Sequence, residues 1–264
     1  MTAPMTRSRP DFTSRIKEMF DHIAPKYDVL NKVNSFGLDR LWRKELVRRV
    51  AAERPKLVLD LAAGTGDVSI ALAKKLPHAT VVAADLSQRM LFHALYKAMN
   101  ADLTGQVKIA EVDASDLPYE EDHFDAVTCA FGVRNFEDIP LSLSEMYRVL
   151  RPGGICAILE LCTPDTKLLY DLYQIHAKRL IPTAARLFGS DDTAYDYLCD
   201  SIEHAPSRDV MEYLMKEAGF GDTSYHEFFP GVCILYIGYK PQFRDTLAEN
   251  RRRFGKIRAL DHTK

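Results

Sequence analysis

A glycine-rich turn at residues 58–67 carries the strongest chemical signal in the sequence. An apolar, strand-like run leads into Gly64-Thr65-Gly66-Asp67, and a helical pattern follows. Glycines at such a junction let the backbone turn sharply and approach a ligand closely, and α/β folds bind nucleotides at this place. The turn therefore predicts a nucleotide-like cofactor, with a plain strand–helix turn as the alternative.

Two carboxylates end the strand-like runs that follow. Asp85 lies about 20 residues after the glycines, where a carboxylate can accept hydrogen bonds from both hydroxyls of a ribose. In isolation, Asp85 could equally cap the helix that begins near Ser87. Asp113-Ala114 ends the third run, and an acidic residue there would lie near an adenine amino group.

Two cofactor classes compete for this pattern. A dinucleotide turn reads G-x-G-x-x-G, but Ser69 occupies the third glycine position, which counts against a dehydrogenase. The combination of G-x-G-D, Asp85 and D-A-x-x-L-P at 113–118 favours S-adenosylmethionine. The residues that this pattern leads us to expect at the cofactor are Gly64, Gly66, Asp85 and Asp113.

The elements around these residues alternate between apolar runs and helical patterns from Lys56 onwards. Near-continuous Val/Ile/Leu/Ala strands separated by helices predict a doubly wound α/β fold with a mostly parallel sheet. The seven expected strands are 57–63, 80–85, 107–113, 124–131, 155–161, 223–229 and 232–239. Only Pro230-Gly231 separates the last two, which predicts an antiparallel hairpin. This is the order of the Rossmann-like class I S-adenosylmethionine-dependent methyltransferase fold.

Three further segments complete the predicted organisation around a domain at 55–241. Residues 1–54 have a helical pattern that Pro25 interrupts, and we interpret them as a lid. Residues 165–205 are helical in pattern and rich in Tyr and His, which suggests a substrate-binding insertion. Residues 242–264 form a basic tail.

Composition excludes several classes of protein. The chain has 264 residues, a net charge of −2 and 47% hydrophobic residues, which is typical of a soluble globular protein and gives no basic field for nucleic acid. Its five cysteines form no C-x-x-C pair, which fits reduced thiols in the cytoplasm and no metal site. No apolar run approaches the roughly 18 residues of a membrane-spanning helix.

The sequence resembles the ubiquinone/menaquinone biosynthesis C-methyltransferases (UbiE/MenG type). The resemblance spans roughly residues 16–241. It depends most on M-F-D-H-I-A-P-K-Y-D at 19–28 and F-G-V-R-N at 131–135, with the more generic R-V-L-R-P-G-G at 148–154. One position departs from the family, which often has Ser before F-G-x-R-N where this chain has Ala130.

The resemblance implies that Thr65 and Ala114 contact the cofactor as well. It also implies methylation of a ring carbon on a polyprenylated quinol. The acceptor would be demethylmenaquinol, in menaquinone biosynthesis, or 2-polyprenyl-6-methoxy-1,4-benzoquinol, in ubiquinone biosynthesis. Another hydrophobic phenol as the acceptor, or a scaffold that binds cofactor without turnover, stays open. Because such an acceptor carries a lipid tail, we expect a cytoplasmic protein with transient contact to the membrane surface, to which the basic tail could contribute. The sequence also allows a homodimer.

The chemistry of the acceptor suggests three catalytic candidates. An aromatic carbon becomes a good nucleophile when a neighbouring phenol, with a pKa of about 10, ionises. Arg134 could stabilise the phenolate, or it could shape a turn or pair with a carboxylate. His176 could accept the proton or serve only packing. Tyr27 belongs to the predicted lid that excludes water, or it contributes only packing at a helix end.

Overall fold

The computed structural model describes residues 9–35, 37–164, 166–167, 197 and 200–242. Three helices come first, α1 (Arg9–Ile23), α2 (Tyr27–Asn34) and α3 (Asp39–Ala52). A short 3-10 turn, Ala24–Lys26, separates α1 from α2. Pro25 lies in that turn, and its missing N–H explains why one continuous helix does not form.

The rest of the described chain alternates strands and helices. Its elements are β1 (Leu57–Leu61), α4 (Asp67–Lys75), β2 (Thr80–Asp85), α5 (Gln88–Asn100), β3 (Val107–Glu111), β4 (Phe124–Ala130), α6 (Ile139–Val149), β5 (Leu150–Leu161), α7 (Arg208–Glu217), β6 (Gly221–Phe228) and β7 (Cys233–Tyr239). The sequence pattern predicts helices at about 39–52 and at 67–75 and a strand at 80–85, and α3, α4 and β2 have these bounds. Strand β5 begins earlier than predicted, because the chain is already extended through residues 150–154.

All seven strands form one sheet in the order β3-β2-β1-β4-β5-β7-β6. The first five strands pair in parallel, and β7 runs antiparallel to both of its neighbours, β5 and β6. The prediction of a mostly parallel seven-stranded sheet with a C-terminal antiparallel hairpin is therefore confirmed.

Apolar side chains cover the sheet on both faces. One cluster packs the sheet against α6 and α7 and includes Leu143, Met146 and Met211; the other packs it against α3 and α4 and includes Leu46 and Leu72. This double burial explains why the central strands have nearly continuous apolar sequences.

The topology brings the cofactor candidates to one edge of the sheet. The chain leaves β1 for β2 on one side and later returns to β4 on the other, so that the strand order reverses between β1 and β4. Ligands of doubly wound folds bind at the carboxyl ends of the strands beside such a reversal. Residues 168–196 and 243–264, which hold most of the predicted insertion and tail, lie outside the described residues.

Candidate active site

An open pocket lies at the carboxyl ends of β1, β2, β3 and β4. Its larger lobe has a volume of about 800 Å³, including its mouth, and its smaller lobe about 350 Å³. Both lobes share five lining residues, which are Tyr27, Ala62, Gly64, Ala130 and Phe131.

The glycine turn forms one wall of the pocket. Gly64 and Gly66 have positive φ angles of 55° and 82°, a region that glycine adopts without steric cost. A Cβ atom on Gly66 would lie 2.8 Å from the Cβ of Ala94 in α5, so the second glycine also allows close packing of that helix. The turn thus approaches the pocket through backbone alone.

Two non-glycine residues in the pocket wall also have left-handed backbone. Ala62, after β1, has a φ of 52°, and Phe131, after β4, has a φ of 62°. Such a conformation is unusual for a bulky residue and is found where the surrounding structure enforces it, often at functional sites.

Asp85 connects β2 to the glycine turn. One carboxylate oxygen accepts a hydrogen bond from the N–H of Gly64 at 2.8 Å, and the other accepts one from the N–H of Ser87 at 2.8 Å. Burial raises the pKa of Asp85, and these backbone hydrogen bonds partly oppose that rise. The cap of α5 is Ser87, whose side chain accepts from Met90 N–H, so Asp85 is not the capping residue and lines the pocket instead.

Asp60, within β1, lies beneath the smaller lobe and is almost fully buried. Its carboxylate accepts hydrogen bonds from Ser69 Oγ at 2.5 Å and Thr128 Oγ1 at 2.7 Å. Burial raises the pKa of Asp60 to about 6 despite these bonds. The serine in place of a third glycine therefore has a structural function, since it donates to Asp60 below the turn.

Helices α1 and α2 line the larger lobe of the pocket through Thr13, Ile16, Phe20 and Tyr27. Polar contacts join them to the sheet side, among them Thr13 with Glu137, Lys17 with Glu111, Asp21 with Ser87, and Asp28 with Thr65. The buried Thr65 hydroxyl donates to Asp28 at 2.5 Å and accepts from Lys97 Nζ at 2.9 Å. Lys97 also pairs with Asp28 and Asp67, each at 2.6 Å, which ties the lid to the cofactor turn.

Tyr27, the first residue of α2, lines both lobes of the pocket beside the glycine turn. Burial raises the pKa of its phenol, while a hydrogen bond with Asn31 and the positive charges of Arg134 and Arg43 lower it in part. The net rise keeps this side chain protonated at neutral pH, so that it can donate a hydrogen bond but cannot act as a base.

Arg134 forms a buried ion pair with Glu160 of β5. The distance from Arg134 Nη1 to Glu160 Oε1 is 2.5 Å, and the two side chains are only 6% and 4% exposed. Glu160 also accepts from the backbone N–H groups of Arg134 and Leu161. Burial lowers the pKa of the guanidinium, but the charge and hydrogen bond of Glu160, together with the phenols of Tyr27 and Tyr197, outweigh this, and the pKa is raised overall. The sequence allowed Arg134 to pair with a carboxylate, and the structure shows such a pair, in which the carboxylate is buried.

The F-G-V-R-N motif also contacts the segment beyond β5. Arg134 Nε donates to Ser201 Oγ at 3.3 Å, and the Tyr197 hydroxyl donates to Asn135 Oδ1 at 2.9 Å. His204 is exposed, whereas His176 lies outside the described residues. Asp113 and Ala114 line the larger lobe, where the Asp113 carboxylate accepts from the Ser115 N–H and hydroxyl.

Several functional contacts of this site are absent from the sequence reasoning. Glu160 is the clearest, and a signal for it existed, because a lone carboxylate within the apolar run 155–161 needs a buried partner. The same argument applies to Asp60 within 57–61. The contacts of Lys97 with Asp28 and Asp67 have no comparable signal in the sequence, because all three residue types are common at exposed positions.

Known proteins were compared with the chain. Residues 9–240 match the model of a family described as the ubiE/COQ5 methyltransferase family. The chain belongs to this family. It is an S-adenosylmethionine-dependent methyltransferase.

Two relatives and one solved structure illustrate the match. The chain is 37% identical to a demethylmenaquinone methyltransferase of Bacteroides fragilis, over 86% of this chain and 93% of that protein. It is 39% identical to the ubiquinone/menaquinone biosynthesis C-methyltransferase UbiE of Geotalea daltonii, over 86% and 96%. The fold is similar to that of phosphoethanolamine N-methyltransferase 2 of Haemonchus contortus, with a TM-score of 0.64 at 17% identity, over 91% and 62%.

The backbone turn and the carboxylates that line the pocket fit this cofactor. The side-chain-free turn at Gly64 and Gly66 admits a ligand closely, and Asp85 offers carboxylate acceptors at the end of β2. Among the described residues, no group of three or more His, Cys, Asp or Glu side chains could hold a metal ion. Nor does that part of the chain contain a helix long and apolar enough to cross a membrane.

Proposed function

We propose that this enzyme methylates a ring carbon of demethylmenaquinol to give menaquinol, in menaquinone biosynthesis. The observation that carries the proposal is the match to the Bacteroides fragilis demethylmenaquinone methyltransferase over nearly the whole of that protein. A second relative of that name, from Porphyromonas gingivalis, is 38% identical over 86% of the chain.

The electrostatics of the pocket support a phenolic acceptor. Burial raises the pKa of the Tyr27 phenol overall, while the charges of Arg134 and Arg43 partly oppose that rise. The same charges would favour the phenolate form of a quinol bound beside Tyr27, and the phenolate pushes electron density onto the neighbouring ring carbon. Arg134 remains protonated throughout, so it would stabilise the phenolate and would not accept its proton.

Most of the remaining predicted residues lie in the described part of the chain, whereas His176 does not, and its role rests on the sequence alone. Gly64, Thr65, Gly66, Asp85, Asp113 and Ala114 would hold S-adenosylmethionine, which supplies an electrophilic methyl group when bound. Tyr27 would donate a hydrogen bond to the acceptor or the cofactor. The lid of residues 1–54 would exclude water from the transfer, and His176 in the segment 165–205 would take the phenol proton.

Labelled methyl transfer tests this function. The chain is incubated with methyl-labelled S-adenosylmethionine and short-chain demethylmenaquinone in detergent, with and without a chemical reductant. Incorporation only in the reduced sample is the expected result, and Arg134→Lys should reduce the rate while leaving cofactor binding near the wild-type value. Cofactor binding without incorporation into any quinol would refute the proposal in favour of another phenolic acceptor or a non-catalytic scaffold.

The benzoquinol of ubiquinone biosynthesis is the second candidate acceptor. The relative from Geotalea daltonii carries a name that includes both pathways. A parallel assay with a 2-polyprenyl-6-methoxy-1,4-benzoquinol analogue, under the same reducing conditions, distinguishes the two candidate acceptors. A higher kcat/KM for the benzoquinol would transfer the assignment to ubiquinone biosynthesis.

A further inference from the structure

Helix α5 has an apolar outer face as well as a buried inner one. On its outer face Phe92, Leu95, Tyr96 and Met99 are 68%, 38%, 58% and 61% exposed. Their spacing of three, four and seven residues places them on one side of the helix, and we call these four residues the α5 stripe. The inner face is buried through Met90, Leu91, Ala94 and Ala98. Contiguous exposed apolar residues on this scale mark a surface that meets a partner.

Exposed cations lie near the α5 stripe, and two carboxylates, Asp21 and Glu111, accept hydrogen bonds from residues 87–89 at its N-terminal end. Helix α5 contains no Asp or Glu, and its exposed Arg89 lies one turn before Phe92. The neighbouring helix α4 ends in the exposed Lys74 and Lys75. Asp102, which follows α5 beyond its end, is the nearest acidic residue along the chain. Apolar side chains beside cations match the interface of an anionic bilayer, where aromatic rings lie at the level of the head groups.

The α5 stripe also begins beside the candidate active site. Leu86, just before α5, and Met90, in its first turn, both line the larger lobe of the pocket. A surface that receives the outer face of α5 would therefore lie next to the mouth of the site. This arrangement suits an acceptor whose tail stays in lipid while its ring enters the pocket.

The exposed area is small for a stable contact with a second copy of the chain. Even a fully buried aromatic side chain contributes about 150–250 Å². Four partly exposed side chains therefore contribute only a few hundred Å², whereas a stable interface buries about 800 Å² on each partner. A bilayer needs no such area, since a few inserted apolar side chains and nearby cations are enough for reversible binding.

We propose that the α5 stripe, with Arg89, Lys74 and Lys75, is the surface that docks this enzyme on an anionic phospholipid bilayer. The proposal rests on the proposed function, because the docked surface delivers a membrane-held quinol to the pocket. The experiments below distinguish failure of the docking proposal from failure of the proposed function.

Vesicle sedimentation tests the docking directly and needs no substrate. Full-length wild type and the double variant Phe92→Ser/Tyr96→Ser are mixed with vesicles of phosphatidylcholine containing phosphatidylglycerol. The variant should partition about tenfold or more weakly, because two aromatic rings leave the interface. The matched control is Val210→Ser/Tyr213→Ser on α7, which packs on the opposite face of the sheet and exposes Tyr213 by the same 58% as Tyr96. This control should bind as wild type does.

Three results would overturn the docking proposal. They are absence of wild-type binding to these vesicles, equal binding of wild type and the α5 variant, and a concentration-dependent dimer that the α5 variant abolishes in sedimentation equilibrium. The last result would assign the stripe to a second copy.

Kinetics then distinguishes this proposal from the proposed function. The α5 variant should retain the wild-type rate on a short-chain quinol in detergent but lose about tenfold in kcat/KM for a long-chain quinol in vesicles. Equal loss on both acceptors would mean that the variant damages the site and would overturn the docking role. A wild type that is inactive on every quinol yet binds vesicles through the stripe would refute only the proposed function.

Discussion

The buried ion pair between Arg134 and Glu160 makes a quantitative prediction about stability. Both side chains are almost completely excluded from solvent, so water cannot compensate for a missing partner. Removing one member of a buried pair costs about 3–5 kcal/mol, a large part of a typical unfolding free energy of about 5–15 kcal/mol. We choose Glu160→Gln, because an amide oxygen can still accept from a backbone N–H while the negative charge is lost.

We expect Glu160→Gln to lower the free energy of unfolding by about 3 kcal/mol or more. With a urea m-value of about 3 kcal/mol per molar, the unfolding midpoint falls by about 1 M. Adding Arg134→Met removes the uncompensated cation. The double variant should therefore recover at least about 1 kcal/mol relative to Glu160→Gln alone, although it lacks more hydrogen bonds.

Urea unfolding followed by circular dichroism measures these differences. The control is Glu145→Gln, which breaks the Glu145–Arg148 pair on α6, where the arginine side chain is 35% exposed. That change should cost about 1 kcal/mol or less. The reasoning is refuted if Glu160→Gln costs no more than Glu145→Gln, or if the double variant is the least stable of all.

Three further predictions concern the pocket. Burial raises the pKa of Asp60 to about 6 from 3.8, so the native state holds a proton that the unfolded state has released between these values. The stability gained from this proton is fully present below about pH 4 and is lost by about pH 6. The stability of wild type relative to Asp60→Asn should therefore fall by about 2 kcal/mol between about pH 4 and pH 7 in denaturation experiments, and a constant difference would disprove the shift. Gly66→Ala should lower the free energy of unfolding by about 1–3 kcal/mol more than Gly37→Ala does. Both glycines have positive φ, but only a Cβ at Gly66 meets a neighbour, Ala94 at 2.8 Å. Equal losses in urea unfolding would contradict the clash. Asp85→Asn should weaken binding of S-adenosylhomocysteine about 10- to 100-fold in titration calorimetry, since a carboxylate hydrogen bond is worth about 1.5–3 kcal/mol, and unchanged affinity would remove Asp85 from the cofactor site.

Elements whose bounds depend on local sequence pattern could be predicted from the sequence. Helices α3 and α4 and strand β2 begin and end as predicted, because apolar periodicity and turn residues are properties of neighbouring positions. The class of fold followed from the same alternation, together with Pro230-Gly231 between the last two strands. Two carboxylates inside apolar runs, Asp60 and Glu160, were visible as anomalies but had no identifiable partners.

The partners of those carboxylates depend on contacts between distant parts of the chain. Arg134 and Glu160 are 26 positions apart, Asp60 and Thr128 are 68 apart, and no local signal relates them. The interpretation of Arg134 changes most as a result. The sequence left open whether Arg134 stabilises a phenolate or pairs with a surface carboxylate, whereas the structure pairs it with a buried one. Its field in the pocket is therefore weaker than that of a lone charge.

The sequence by itself determined the fold class, the strand order at the C-terminal hairpin, the family and the glycine turn with its carboxylates. These features depend on residue types at short spacing, which persist in any conformation of the chain. Only the tertiary structure decided which charges are compensated, how α1 and α2 are fastened over the pocket, and that α5 leaves an apolar face uncovered. Each of these depends on burial and on distances between residues far apart in sequence, and those quantities exist only once the sheet has brought the strand ends together.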